Sequence, residues 1–86
     1  MIDDIELRRR RAAYRAAHRG TKEMDIMVGR YAAAKLPELN DPALAHFEEF
    51  IALPDPELQT WLLTPNAVAA PAFTALVAEV RKFHGL

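Results

Sequence analysis

Apolar residues recur along most of this chain at intervals of three and four, the spacing that gives an α-helix one buried face. From about Asp3 or Asp4 to His18 the residues are mainly alanine and arginine, with acids at the start and bases towards the end, so propensity and macrodipole both predict a helix. At 100° per residue Arg8, Arg11, Arg15 and Arg19 form one stripe, while Leu7, Ala13, Tyr14 and Ala17 lie on another side and are expected to dock. Gly20 breaks the pattern immediately after Arg19, where glycine takes a left-handed backbone without a Cβ penalty. A second helix begins near Thr21, with Thr21 as cap and Glu23 as first-turn acid. Its Met24, Met27, Val28 and Tyr31 face inward, and Ile26, Gly29 and Arg30 point away, which makes Ile26 a candidate exposed apolar contact.

Pro37 and Asn40-Asp41-Pro42 close that helix and open a third, with Asp41 as expected N-cap and Pro42 in the first helical position. Leu44, Phe47, Phe50 and Ile51 form its apolar face. The device recurs at Pro54-Asp55-Pro56, where Asp55 is expected to cap a short fourth helix carrying Leu58, Trp61 and Leu62. Thr64–Ala70 is a connector. A last helix from about 71 to 84 places Phe73, Leu76, Val77, Val80 and Phe83 on one face, with Gly85 just past its end. No segment has the period-2 alternation of a strand. The expected fold is all-α, a compact bundle of four to five short helices forming one domain over residues 1–86.

Composition narrows the function classes. With 51% hydrophobic residues the chain is too apolar for intrinsic disorder, yet no stretch approaches the roughly 18 apolar residues of a membrane span. No membrane insertion is expected. A domain of 86 residues buries only roughly 60–65% of its unfolded surface, which leaves one modest core and no large enclosed cavity, so function belongs on the outside. Cysteine and serine are both absent, which removes disulfides, thiolate metal sites and Ser or Cys nucleophiles. A domain this small without disulfides, opening on the acidic Met1–Glu6 run, points to a reducing compartment such as the cytoplasm.

The formal net charge of −1 conceals a gradient. Residues 8–23 hold Arg8, Arg9, Arg10, Arg11, Arg15, Arg19 and Lys22 against Glu23, whereas residues 31–86 hold Lys35, Arg81 and Lys82 against seven acids. A basic helix is also the footprint of a small nucleic-acid-binding module, the alternative reading, but the negative total charge and the lack of a helix-turn-helix pattern or interleaved aromatics argue against nucleic acid. His18, His46 and His84 lie on three different helices without metal-ligand spacing, and no glycine-rich loop is present to cradle a phosphate. Glu48 and Glu49 diverge by 100° and read as a solvated face, and Trp61 reads as core. No enzymatic activity is expected. What remains is the corner Arg19-Gly20-Thr21-Lys22-Glu23, with opposite charges on either side of a glycine.

Arg19-Gly20-x-x-Glu23, preceded by Arg8–Arg11 and Tyr14-Arg15 and followed by Met24-Asp25 and Gly29-Arg30-Tyr31, resembles the family of FAD assembly factors called SdhE or succinate dehydrogenase assembly factor 2. The later Phe47-Glu48-x-Phe50-Ile51-x-Leu53-Pro54-Asp55-Pro56-x-Leu58-x-x-Trp61-Leu62 is similar to the second half of that family's pattern. The likeness covers about residues 6–63, and the chain departs from the pattern after Leu63.

The resemblance implies a small helical protein that binds the flavoprotein subunit of succinate dehydrogenase, and in some bacteria that of fumarate reductase, and promotes covalent attachment of FAD to a histidine of that subunit. It implies that Arg19, Gly20 and Glu23 face the partner, while Thr21 and Lys22 inherit no role. FAD would belong to the partner and not be held stably by this chain, which has no dinucleotide fingerprint. Arg19 is expected to offer a donor fork, Gly20 a close backbone approach and Glu23 an acceptor, with Arg11 and Arg15 steering the encounter.

Overall fold

The computed structural model describes residues 3–86; Met1 and Ile2, which open the acidic N-terminal run, lie outside them. Five α-helices follow one another: α1 Asp4–Ala17, α2 Lys22–Lys35, α3 Asp41–Ile51, α4 Asp55–Leu63 and α5 Thr74–Phe83, with single 3₁₀ turns at Leu36–Glu38 and Pro71–Phe73. Among the described residues there is no strand. The radius of gyration is 12.4 Å, against about 12 Å for a folded chain of this length.

The buried faces of α3 and α4 are those predicted, and α2 buries the four predicted residues together with Gly29 and Ala32. Met24, Met27, Val28 and Tyr31 meet Leu44, Phe47, Phe50 and Ile51, and Leu58, Trp61 and Leu62 complete the core. Tyr31 lies over Phe47 with ring centroids 6.1 Å apart, within the range of an offset aromatic pair.

The docking face of α1 differs in part from the expectation: Ala13 packs against the core and Ala17 against α2 as expected, but the two large residues do not. Leu7 and Tyr14 are 37% and 66% exposed, and the buried residues are Ala12 and Ala16, with Ile5 packed beside them. The reason is on α2. Gly29, expected to point away, is buried, and a Cβ built on it would stand 2.9 Å from the Ala17 Cα and 3.1 Å from its Cβ. The two helices approach so closely that only alanine and glycine fit between them, which turns the larger Leu7 and Tyr14 outward. Ile26 is half-buried rather than exposed.

Helix entries shift by one residue from the expectation. Asn40, not Asp41, caps α3, its Oδ1 accepting from the Ala43 N–H at 3.0 Å, and Pro54, not Asp55, occupies the cap position of α4. Asp41 and Asp55 thus lie in the first turns, where their charge suits the helix dipole and their carboxylates reach arginines of the α1 segment. Thr21 caps α2 as predicted, accepting from the Met24 N–H at 3.3 Å.

α5 buries Leu76, Val77 and Val80, while Phe73 is half-buried in the turn before it and Phe83, expected on the apolar face, is 42% exposed. Polar staples complete its attachment. The Tyr31 hydroxyl donates to Glu79 at 2.8 Å, His84 Nε2 donates to the Met27 carbonyl at 2.7 Å, and Arg81 donates to the Leu62 carbonyl at 2.6 Å. At the entry to α5, His46 Nε2 donates to the Ala72 carbonyl at 2.6 Å and its ring stacks on Phe73.

Two outcomes test this packing. Gly29→Ala gains about 1 kcal/mol in helix propensity but overpacks a backbone contact at about 1–3 kcal/mol, so the net effect is a lower melting temperature, read by circular dichroism. Burial, and then the hydrogen bond to Glu79, push the Tyr31 phenol above its ordinary value of about 10. The folded state therefore favours the protonated phenol, and this stabilisation is complete below about pH 10 and fades as the unfolded chain's tyrosine ionises above it. Urea unfolding between about pH 9 and pH 11 should show a shallower alkaline decline in Tyr31→Phe.

Candidate functional site

Between the end of α1 at Ala17 and the start of α2 at Lys22 the chain turns through His18, Arg19, Gly20 and Thr21. Gly20 has φ +112°, a backbone conformation open to glycine and strained for any L side chain. The space beside it is open: an added Cβ would find as its nearest neighbour the Asp55 Oδ2, at 3.9 Å. Glu23 stands in the first turn of α2, exposed, and its carboxylate has no hydrogen-bond partner among the described residues.

Arg19 is held quite differently. Its side chain is only 10% exposed, and Nε donates to Asp55 Oδ1 at 2.8 Å while Nη2 donates to the Leu53 carbonyl at 2.8 Å. Nη1 donates to the Ile51 carbonyl. The Arg19 backbone N–H donates to the carboxylate of Asp25 on α2. The donor fork expected to meet a partner is thereby occupied inside the chain, by acceptors at the end of α3 and the start of α4. Sequence reasoning gave Asp55 a capping role and missed this one; the available signal was its place in the Pro-Asp-Pro element of the same family pattern that contains Arg19.

The arginines of α1 divide into two groups. Arg8 donates to Asp41 at 2.7 Å and to Glu48 at 2.6 Å; these hydrogen bonds, that to Glu48 foremost, push its guanidinium above the usual arginine value, so the clamp stays charged. Glu48, expected on a solvated face, is therefore engaged. Arg9 donates to the Leu39 carbonyl, and Arg10 pairs with Glu6 at 3.4 Å on the same helix. Arg11 and Arg15 are exposed and make no ion pair among the described residues. Of the four-arginine run, then, only Arg8 is paired with carboxylates of α3; Arg9 is held by a neutral carbonyl, Arg10 by Glu6 of its own helix, and Arg11 stands exposed.

Arg15 joins the elbow and Arg11 does not. A shallow cleft of about 340 Å³ is lined by Tyr14, Arg15, His18, Leu53 and Pro54, together with the Arg19–Asp55 pair. Tyr14 and His18 stack across it with centroids 4.0 Å apart and an interplanar angle of 20°, and His18 Nδ1 donates to the Tyr14 carbonyl at 2.7 Å. This aromatic shelf was not singled out in the sequence, although the i, i+4 spacing of the two rings was its available signal. No group of three or more His, Asp or Glu side chains that could hold a metal is found among the described residues.

The arrangement is a corner between two helices of an all-α fold, with exposed Gly20 and Glu23 flanked by aromatic and cationic side chains. The chain belongs to the Sdh5 family, flavinator of succinate dehydrogenase, whose model matches residues 10–84 and so includes α5. It is 36% identical over 87 residues to the FAD assembly factor SdhE of Acetobacter pasteurianus, a match covering 96% of this chain and 80% of that protein. It is 29% identical over 83 residues to the mitochondrial succinate dehydrogenase assembly factor 2 of Dictyostelium discoideum, covering 96% of this chain and 58% of that one. No solved structure matches the chain significantly.

Proposed function

We propose that this chain docks through the α1–α2 elbow onto the flavoprotein subunit of succinate dehydrogenase and so promotes covalent attachment of FAD to a histidine of that subunit. Membership of the flavinator family supports the activity. The observation that carries the choice of surface is that Gly20 and Glu23, two residues of the family's motif, are exposed on a corner whose preceding residue, Arg19, is tied down through both its backbone N–H and its side chain. Gly20 lets partner backbone approach, Glu23 accepts from a partner donor, and Arg15 with the Tyr14–His18 shelf extends the contact. Arg19 supports this surface from within, and Arg11 lies beyond it as a steering charge.

Bond making is left to the partner, where flavin and histidine meet. This chain contributes binding energy to one conformation of the subunit, and it can accelerate attachment only by preferring the conformation in which those groups are aligned. Such positioning lowers a barrier by several kcal/mol, up to about 7–11 in the best cases. FAD is accordingly a ligand of the partner. The flavoprotein of fumarate reductase is the second client that the family resemblance brings. We place the chain in the bacterial cytoplasm, a placement supported by its bacterial relative and by the absence, among the described residues, of any helix long and apolar enough to cross a membrane.

Glu23→Ala should weaken binding to the purified flavoprotein subunit by at least about tenfold, or about 1.4 kcal/mol, with the melting temperature nearly unchanged because the side chain has no internal partner. Gly20→Ala and Gly20→Arg share the backbone strain of a positive φ, so a further loss of binding and of in-gel flavin fluorescence in Gly20→Arg alone measures the close approach. Equal binding by wild type, Glu23→Ala and Gly20→Arg rejects the elbow as the contact. Arg11→Glu with Arg15→Glu should slow association and flatten its salt dependence; unchanged rates remove both from the encounter.

A further inference from the structure

We infer that Asp55 is a positioning residue of the docking surface: it holds the Arg19 guanidinium inward, so that the arginine of the motif acts as the brace of the elbow and not as its contact. The inference rests on the elbow reading above, and it reverses the role that the family resemblance implies for Arg19.

The geometry is that of a closed site. Asp55 Oδ1 lies 2.8 Å from both Nε and Nη2 of Arg19, and the two terminal nitrogens reach the carbonyls of Ile51 and Leu53, the residues leading out of α3. A planar fork satisfied on three sides by fixed acceptors has little reason to rotate towards solvent, since a lysine-like point charge would be needed to exchange partners freely. The Asp55 side chain is 25% exposed, less screened than a surface ion pair, and as the first residue of α4 it stands on a rigid element. On the other flank, Asp25 of α2 accepts from the Arg19 backbone N–H. Arg19 is therefore held twice immediately before Gly20, its backbone by a carboxylate on α2 and its side chain by one on α4, while Thr21 immediately after Gly20 is fixed as the cap of α2. With both neighbours of Gly20 held, the face it shares with Glu23 is presented in one arrangement. Preorganising a contact in this way strengthens binding by reducing the ordering that association must impose.

Two roles for Arg19 give opposite signs for one substitution. If Arg19 must swing out to contact the flavoprotein, loss of its internal acceptor frees it, and Asp55→Ala binds as well as wild type or better. If Arg19 braces the elbow, Asp55→Ala weakens binding to the flavoprotein subunit by about tenfold and raises amide hydrogen exchange at Gly20–Glu23 in the free chain. Asp55→Asn keeps an oxygen for the Nε–H and should recover part of both effects; it also carries the test should Asp55→Ala fail to fold, as judged by its melting curve. The effect of Asp55→Ala should vanish in an Arg19→Ala background, because Asp55 acts through that guanidinium. Equal or tighter binding by Asp55→Ala, or a loss that persists in full without Arg19, overturns the inference. Glu23→Ala, which leaves the brace intact, separates the two claims: if it binds normally the elbow is not the contact, while the hydrogen-exchange response to Asp55→Ala still decides whether the brace exists.

Discussion

A guanidinium held almost wholly out of solvent, between a carboxylate on α4 and two carbonyls at the end of α3, joins the two halves of this protein at the corner where the chain reverses. Taking an arginine side chain from water is favourable only when its donors are met by acceptors in the right plane, and Ile51, Leu53 and Asp55 supply them from a single turn. The α1–α2 hairpin is thereby fixed relative to α3 and α4 at the end where it carries its exposed residues. Arg8, paired with Asp41 and Glu48 towards the other end of α1, fixes its azimuth. One arginine within α1 and one just past its end set its orientation, and the alanine face between them lets it lie close against α2.

A small core makes such devices useful. Nineteen buried apolar residues, several of them alanines, form the interior, and α5 adds only Leu76, Val77 and Val80 to it. Hydrogen bonds from Tyr31, Arg81 and His84 tie that helix to α2 and α4 at points where side-chain burial alone is thin. Two of the three histidines, which in sequence raise the question of a metal, are thus employed as donors to carbonyls of neighbouring segments, and the third as a donor within its own helix end.

Rigidity at the elbow fits the proposed role, in which the chain favours one conformation of a larger partner. A flexible corner would spend its binding energy on its own ordering, whereas a braced one can transfer it to the partner. The exposed face combines a glycine without a side chain, an unpaired carboxylate, a free arginine and a stacked aromatic pair. That is the mixture of side chains on which the proposed docking would draw.

Local chemistry determined much of this protein. Helical periodicity marked all five helices, the buried faces of α3 and α4, most of that of α2, and the Thr21 cap, because each depends on residues within a turn or two of one another; Gly20 takes the expected positive φ, although α1 already ends at Ala17. The RGxxE corner was likewise legible as a pattern of residue types. Tertiary structure alone decided which face of α1 is buried, since its alanines offer no local preference and the choice falls to the close approach at Gly29. It also decided that Asp41 and Asp55 answer arginines 33 and 36 residues away instead of capping their own helices, and that Arg19 turns inward. A long charged side chain has many rotamers of similar energy, and which of them it takes depends on the acceptors that folding brings within reach; sequence spacing carries no record of those.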